Sequence, residues 1–244
     1  YCGCHTSVTK RDDPIAIYAS GLRNEAQLVA EAIGHQLSIS HIHFGGGTPT
    51  IMTPESFTDL MGALRYSYAV QQDAEIAVEI DPRTLSEAMT AALGVGGVNR
   101  ASLGVQSFDP AVQRAINRVQ GFDQTAAAVE RLRQTGIGYA HVPSFKKHQR
   151  KIAEDALPDS VERHVQSEAI AQALTDAGYV RIGFDHFARP DDNLAVAKQE
   201  GRLHRNFQGY TDDSATTLIG LGASAIGRTP HGFAQNAVTT RDYL

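Results

Sequence analysis

The chain has 244 residues, 42% apolar and 20% charged, with a formal net charge of −5. That size suits one α/β domain with a real core, or a domain and a small appendix, and the acidic balance argues against a nucleic-acid surface. No apolar run is long enough to span a bilayer and no signal peptide is recognisable, so a cytoplasmic protein is expected, while two cysteines one residue apart, Cys2 and Cys4, do not make a disulfide scaffold.

In chain order, a polar opening through Asp12, Asp13 and Pro14 precedes Asn24 to Leu37. There Leu28, Val29, Ala32, Ile33 and Leu37 fall at helical spacing. Ser40 to Phe44 reads as a strand that ends in Gly45-Gly46-Gly47-Thr48-Pro49-Thr50. Thr53-Pro54-Glu55 starts a helix, with Thr as N-cap and Pro at the first helical position. Glu75 to Ile80 is a strand closed by Asp81-Pro82, and Thr84 with Glu87 has capping-box spacing. Asn99 to Val105 is a third strand, followed by Gln106-Ser107-Phe108. A short helix from Asp109-Pro110 precedes a longer one capped by Asp123 and ended by Gly136.

Alternation of strands and helices predicts a parallel sheet with right-handed crossovers. Gly45 to Thr48, Glu79, Asp81 and Gln106 all lie at or just after strand ends. In such folds the carboxyl ends of the strands carry the ligand site. Consecutive glycines let backbone N–H groups approach a small polar guest, although an isolated glycine stretch is equally a tight turn. The alternation then breaks. Gly136 to Tyr139 should open a strand, but Ala140-His141-Val142-Pro143 and a basic stretch from Lys146 to Arg150 follow. A βαβ unit needs roughly thirty residues, which are not there. Ser160 to Ala177 is a helix ended by Gly178, Tyr179 to Phe184 a strand, and Asn193 to Glu200 a short helix. Leu203 to Tyr210 is polar and aromatic without periodicity. His41 and His43 alternate on one strand face and read as structural.

Several stretches carry a resemblance. They are Tyr1-Cys-Gly-Cys4, His43-Phe-Gly-Gly-Gly-Thr-Pro-Thr50, Val78-Glu-Ile-Asp-Pro82, Leu103-Gly-Val-Gln-Ser-Phe108, Ile116-Asn-Arg-Val-Gln120, Asp185-His-Phe-Ala-Arg-Pro-Asp-Asp192 and Leu203-His-Arg-Asn-Phe-Gln-Gly-Tyr210. Together and in this order they resemble the oxygen-independent coproporphyrinogen III oxidases (coproporphyrinogen dehydrogenases), a radical S-adenosylmethionine family of haem biosynthesis.

The resemblance implies a partial (β/α) barrel of the radical SAM type, with one internal βα unit missing. It divides the chain into an incomplete core, 1–178, and a family-specific segment, 179–244, that leads to a further domain. It implies a [4Fe–4S] cluster with Cys2 as one ligand, and two molecules of S-adenosylmethionine. Tyr1, Gly46, Gly47, Thr48, Glu79, Gln106, Arg118, Ala140 and Ile226 match cofactor-binding positions. Gly46 and Glu79 face the first molecule, with Ile226 near it; Tyr1, Gly47, Thr48, Gln106, Arg118 and Ala140 face the second. The implied reaction is oxidative decarboxylation of two propionates of coproporphyrinogen III to vinyl groups, giving protoporphyrinogen IX, through a 5′-deoxyadenosyl radical. An electron donor and acceptor follow as partners, with a monomer the expected state.

The chain also departs from the family. The first two cluster cysteines are not in this sequence, a strand and helix are missing after Gly138, and the helical C-terminal domain is not present. One cluster thiolate does not hold an iron–sulfur cluster, so the chain as it stands is expected to be inactive. Two alternatives stay open: a haem-binding, chaperone-like relative, and a remnant without cofactor. Coproporphyrinogen carries four propionates, so His186, Arg189, His204 and Arg205 are either partners for its carboxylates or a packed polar network.

Overall fold

The computed structural model describes Thr9, residues 11–105, Phe108, residues 110–115, 117–141, 160–183, 186–206 and 209–244. The chain opens with α1, Asp13–Ile33, which begins well before the periodic stretch at Asn24. Pro14 supplies the fixed φ that a first helical turn tolerates, and Gly34, at φ 72°, ends the helix by donating to Ala30 O.

Four parallel strands follow in the order β1 Ser38–Phe44, β2 Ala69–Ile80, β3 Arg100–Leu103 and β4 Gly138–His141. Between them lie α2 Pro54–Ser67, α3 Glu87–Val95, α4 Pro110–Ala115 and α5 Phe122–Gln134. Parallel pairing with helical crossovers is the α/β pattern predicted from the alternation, and four strands make a partial barrel.

The two faces of the sheet differ because side chains alternate along each strand. Ile76, Val78, Ile80, Ala101 and Leu103 are buried on one face. They join Phe57, Leu60, Met61 and Leu64 of α2, Met89 and Leu93 of α3, and Ala128 and Leu132 of α5 in the main core. Each large side chain buried there is worth about 1.5–3 kcal/mol. His41, His43, Glu75, Glu79 and Arg100 lie on the opposite face, partly buried.

After β4 come α6 Ser160–Asp176, the hairpin β5 Val180–Arg181 with β6 Phe187–Ala188, and α7 Asn193–Gln199. Two further hairpins pair β7 His204–Arg205 with β8 Tyr210–Thr211, and β9 Ile226–Thr229 with β10 Gly232–Gln235, before a last turn of helix, α8 Thr240–Tyr243. A small cluster of Ile182, Ala188 and Ala195, backed by Leu194, Leu203 and Tyr210, holds the middle of this region together.

This region lies across the polar face of the sheet. Arg100 Nη1 is 3.4 Å from Asp192 Oδ2 and 3.6 Å from Glu75 Oε2. His41 Nδ1 is 3.3 Å from Asp213 Oδ1, and its Nε2 is 4.0 Å from Asp212 Oδ1. The polar strand residues are thus answered by polar residues of the covering segment, which is why charge is tolerated there.

Three local expectations are corrected. Ser86, not Thr84, caps α3, accepting from Met89 N at 3.1 Å, while Thr84 Oγ1 donates to Asp81 O. Gly121 holds the N-cap position of α5, and Asp123 falls inside its first turn. The strand expected over Tyr179 to Phe184 is the two-residue β5, turned back into a hairpin.

Candidate active site

The carboxyl ends of β1 and β2 meet where the first strand runs into its glycines. Gly46 adopts φ 107°, a conformation open to glycine, and a Cβ built on it would meet open space. Its requirement is therefore conformational. Gly45 differs: a Cβ there would lie 2.8 Å from His43 Nε2 and 3.2 Å from Glu79 Oε1. Those two side chains sit beneath the glycine turn with His43 Nε2 3.5 Å from Glu79 Oε1. Glu79 is nearly half exposed, so its carboxylate borders open space as well as the histidine. Thr48 leads into a single 3₁₀ turn, Pro49–Ile51, and its carbonyl accepts from Ile51 N at 3.0 Å.

One step further along β2, Asp81 is buried and engages two arginines. Arg83 gives it a backbone N–H at 3.0 Å and a two-pronged guanidinium contact, Nε to Oδ1 at 3.0 Å and Nη2 to Oδ2 at 2.7 Å. Arg118 Nη2 lies 3.1 Å from Asp81 Oδ2 and donates to Gly104 O at 2.9 Å. Burial alone would push the Asp81 carboxyl up. The Arg83 hydrogen bonds and the charges of Arg118 and Arg83 outweigh it and hold the group below the usual carboxylate range. Arg118 therefore ties the end of β2 to the chain leaving β3.

The other expected site residues fall as follows. Ala140 lies in β4 and pairs with Ser102 of β3. Ile226 opens β9, opposite Gln235. Gly220 allows the preceding loop to lie against it, since a Cβ there would come within 2.8 Å of the Ile226 carbonyl carbon. Tyr1, Cys2 and Gln106 lie outside the described residues. Among the described residues no group of three His, Cys, Asp or Glu side chains could hold a metal ion.

Of the four residues considered for substrate carboxylates, three gather at Tyr210 and β7 while Arg189 pairs elsewhere. Arg189 pairs with Asp191 on the surface at 3.0 Å. His186 and Tyr210 meet edge to face at 5.0 Å, with the Arg205 guanidinium 5.4 Å from the centre of the same ring. His204 stands next to Arg205 on β7.

His43, read from the sequence as structural, lies two residues from Gly45 on the strand face that carries Glu79, with its Nε2 3.5 Å from the Glu79 carboxylate. Sequence reasoning missed Glu25 of α1. Glu25 accepts from Gly222 N at 2.7 Å, Asn236 Nδ2 at 2.6 Å and Tyr243 Oη at 2.7 Å, tying the loop before β9 and the last helical turn to the first helix. Burial first, then hydrogen bonding to Glu25, pushes the Tyr243 hydroxyl well up. Contacts separated by about two hundred residues leave no local pattern.

A glycine turn at a strand end, a carboxylate beside it and a parallel α/β sheet suit a small polar cofactor. Residues 1–146 match the radical SAM superfamily. The chain belongs to the radical SAM superfamily. Among its relatives in this superfamily, the oxygen-independent coproporphyrinogen III oxidase of Bradyrhizobium diazoefficiens is 55% identical over 280 positions, covering all of this chain and 62% of that protein. The Paracoccus denitrificans protein of the same name is 40% identical, again over the whole chain and 62% of the relative. A solved structure described as coproporphyrinogen III oxidase from Escherichia coli, a radical SAM enzyme, superposes with a TM-score of 0.88 at 34% identity, over 98% of this chain and 64% of that one. This radical SAM chain thus spans about three fifths of the length of the relatives it matches. The Bradyrhizobium alignment runs over 280 positions where this chain has 244 residues, so the relative carries stretches with no counterpart here.

Proposed function

We propose that this chain carries the S-adenosylmethionine cradle and part of the substrate pocket of a coproporphyrinogen III oxidase, and that its 244 residues alone do not hold the cluster. The observation that carries the reading is the whole-chain likeness at 55% identity, supported by a glycine turn and a carboxylate at the strand ends where a cofactor would sit.

The residues suit S-adenosylmethionine. Gly46, at φ 107°, presents backbone rather than side chain to the open space beside it. Glu79 offers an acceptor to an ammonium or a ribose diol. Gly46, Glu79 and Ile226 belong to a first molecule, and Tyr1, Gly47, Thr48, Gln106, Arg118 and Ala140 to a second. In that role Arg118, tied to Asp81 and to Gly104 O, adds positive charge beside the second molecule. The residues present do not suit a [4Fe–4S] cluster: the chain has two cysteines, only Cys2 matches a ligand position, and such clusters are held by several thiolates. The family's cofactors would supply hydrogen-atom abstraction; each of two propionates would then lose carbon dioxide and pass one electron to an acceptor, leaving a vinyl group and, after both, protoporphyrinogen IX. The chain's own residues bind, orient and shield; residues 1–178 form the incomplete core and 179–244 the segment over its polar face.

Equilibrium dialysis with labelled S-adenosylmethionine tests this. Saturable binding approaching two molecules per chain is expected, at least tenfold weaker in Glu79→Ala. Absence of saturable binding contradicts the cradle, and a stoichiometry of one removes the second site. After anaerobic incubation with iron and sulfide the chain should stay without a stable cluster and should not cleave S-adenosylmethionine; cleavage would show that these residues suffice.

A further inference from the structure

The hairpins β7–β8 and β9–β10 and the loop between them enclose a cleft of about 360 Å³, lined by His204, Arg205, Asp213, Arg228 and Phe233 among others. It adjoins a second hollow of about 410 Å³ that shares His204, Asp213 and Arg228. Each cation is held in place by a neutral group. Arg228 Nη2 donates to Ala215 O at 3.1 Å, and Arg205 stacks on Tyr210 at 5.4 Å. His204 Nδ1 is 3.2 Å from Arg202 O, which leaves Nε2 for another partner. Among the described residues neither Arg205 nor Arg228 has a carboxylate within ion-pair distance, whereas Arg11, Arg23, Arg83, Arg100, Arg181 and Arg202 each have one.

The acidic side chain in the cleft is turned elsewhere. Asp213 Oδ1 accepts from Ala215 N at 2.9 Å and from Ser40 Oγ at 3.5 Å, and lies 3.3 Å from His41 Nδ1. Its Oδ1 is thus engaged by Ser40 of β1 and by its own loop. Two guanidinium groups without an ion pair, in a cleft whose one carboxylate, Asp213, is engaged through Oδ1 by Ala215 N and Ser40, form a site for an oxyanion, and a planar fork matches a carboxylate best. The volume is at the low end for a ligand pocket, enough for side arms rather than a whole macrocycle. The same Asp213 contact joins the cleft to the strand face on which His43 and Glu79 lie.

We infer that this cleft binds propionate carboxylates of the substrate through Arg228 and Arg205. The inference rests on the reading that the substrate is a tetrapyrrole polycarboxylate, and it adds to that reading Arg228, which no sequence motif singled out.

The test is fluorescence titration of the chain with coproporphyrin III, the stable oxidised form of the substrate, and with its tetramethyl ester. The free acid should bind and the ester should bind at least tenfold more weakly. Arg228→Met and Arg205→Met should each weaken the free acid about tenfold, the effect of losing one charge-assisted contact, while Arg228→Lys, which keeps the charge but loses the fork, should weaken it less than Arg228→Met. Melting temperatures of the three variants report whether the fold is intact, and Arg228→Lys keeps the test valid if Arg228→Met does not fold. Unchanged coproporphyrin binding in both Met variants overturns the inference and leaves the proposed function standing. Loss of S-adenosylmethionine binding without loss of coproporphyrin binding also overturns it, because the cleft would then serve the cofactor's carboxylate. If the chain binds no coproporphyrin III, the substrate reading fails and the inference falls with it.

Discussion

Gly45 and Gly46 are neighbours with different reasons for being glycine. At Gly46 a Cβ has room, but φ 107° would strain any residue that carries one. At Gly45 a methyl group would strike the His43–Glu79 pair. Gly46→Ala should therefore lower stability by about 1–2 kcal/mol, measured by urea unfolding. Gly45→Ala should displace the Glu79 carboxylate and weaken S-adenosylmethionine binding several-fold. Asp81 makes a separate claim. Removing its charge takes the Asp81 counter-charge from buried Arg118, so Asp81→Asn should cost about 3 kcal/mol at pH 7. The folded carboxyl is held below its unfolded value, so its contribution is complete above about pH 4 and is lost as the pH falls through the folded value. The gap between wild type and Asp81→Asn in unfolding midpoint should be constant near neutrality and close at acid pH. A gap that shows no narrowing as the pH falls below the ordinary carboxylate range would show that the charge is not the cause. The glycine turn and Glu79 were legible because their spacing from strand ends is local. The Asp81–Arg118 contact was not, since nothing in the sequence says which end of a thirty-seven-residue separation folds back.

At the scale of elements, β1, β2, β3 and the helices between them follow from periodicity, whereas β4, Gly138–His141, forms where the alternation was expected to break. Thr53 is a cap by position and by contact, accepting from Ser56 N at 3.1 Å. The capping-box spacing of Thr84 misled because the Asp81-Pro82 turn claims the Thr84 hydroxyl, leaving Ser86 to cap α3. Ser86→Ala should cost about 1 kcal/mol and Thr84→Ala clearly less; the reverse order in thermal unfolding would restore the sequence expectation. The first half of α1 was hidden by Pro14 and Gly21. The glycine is there because the side chain of Leu244 packs where its Cβ would be, at 2.6 Å. The hairpins of two to four residues per strand were not legible, because so short a strand shows no alternation. What fixes them is contact with each other and with the sheet.

Across the whole molecule, three polar ties hold the C-terminal third in place: Arg100 to Asp192, His41 to Asp213, and Glu25 to the loop and helix at 220–244. They set Asp192 and Asp213 against the polar face of the sheet. Glu25→Ala removes a carboxylate that accepts three hydrogen bonds, and should speed amide exchange in 220–244 while leaving β1 to β3 protected. Equal loosening of the sheet would mean that Glu25 supports the fold as a whole. The central claim, that the carboxyl ends of β1 and β2 form the cofactor cradle, is tested most directly by hydrogen–deuterium exchange of the chain with and without saturating S-adenosylmethionine. The account predicts slowed exchange over 44–48 and 79–81; protection confined to other segments, or none, would contradict it.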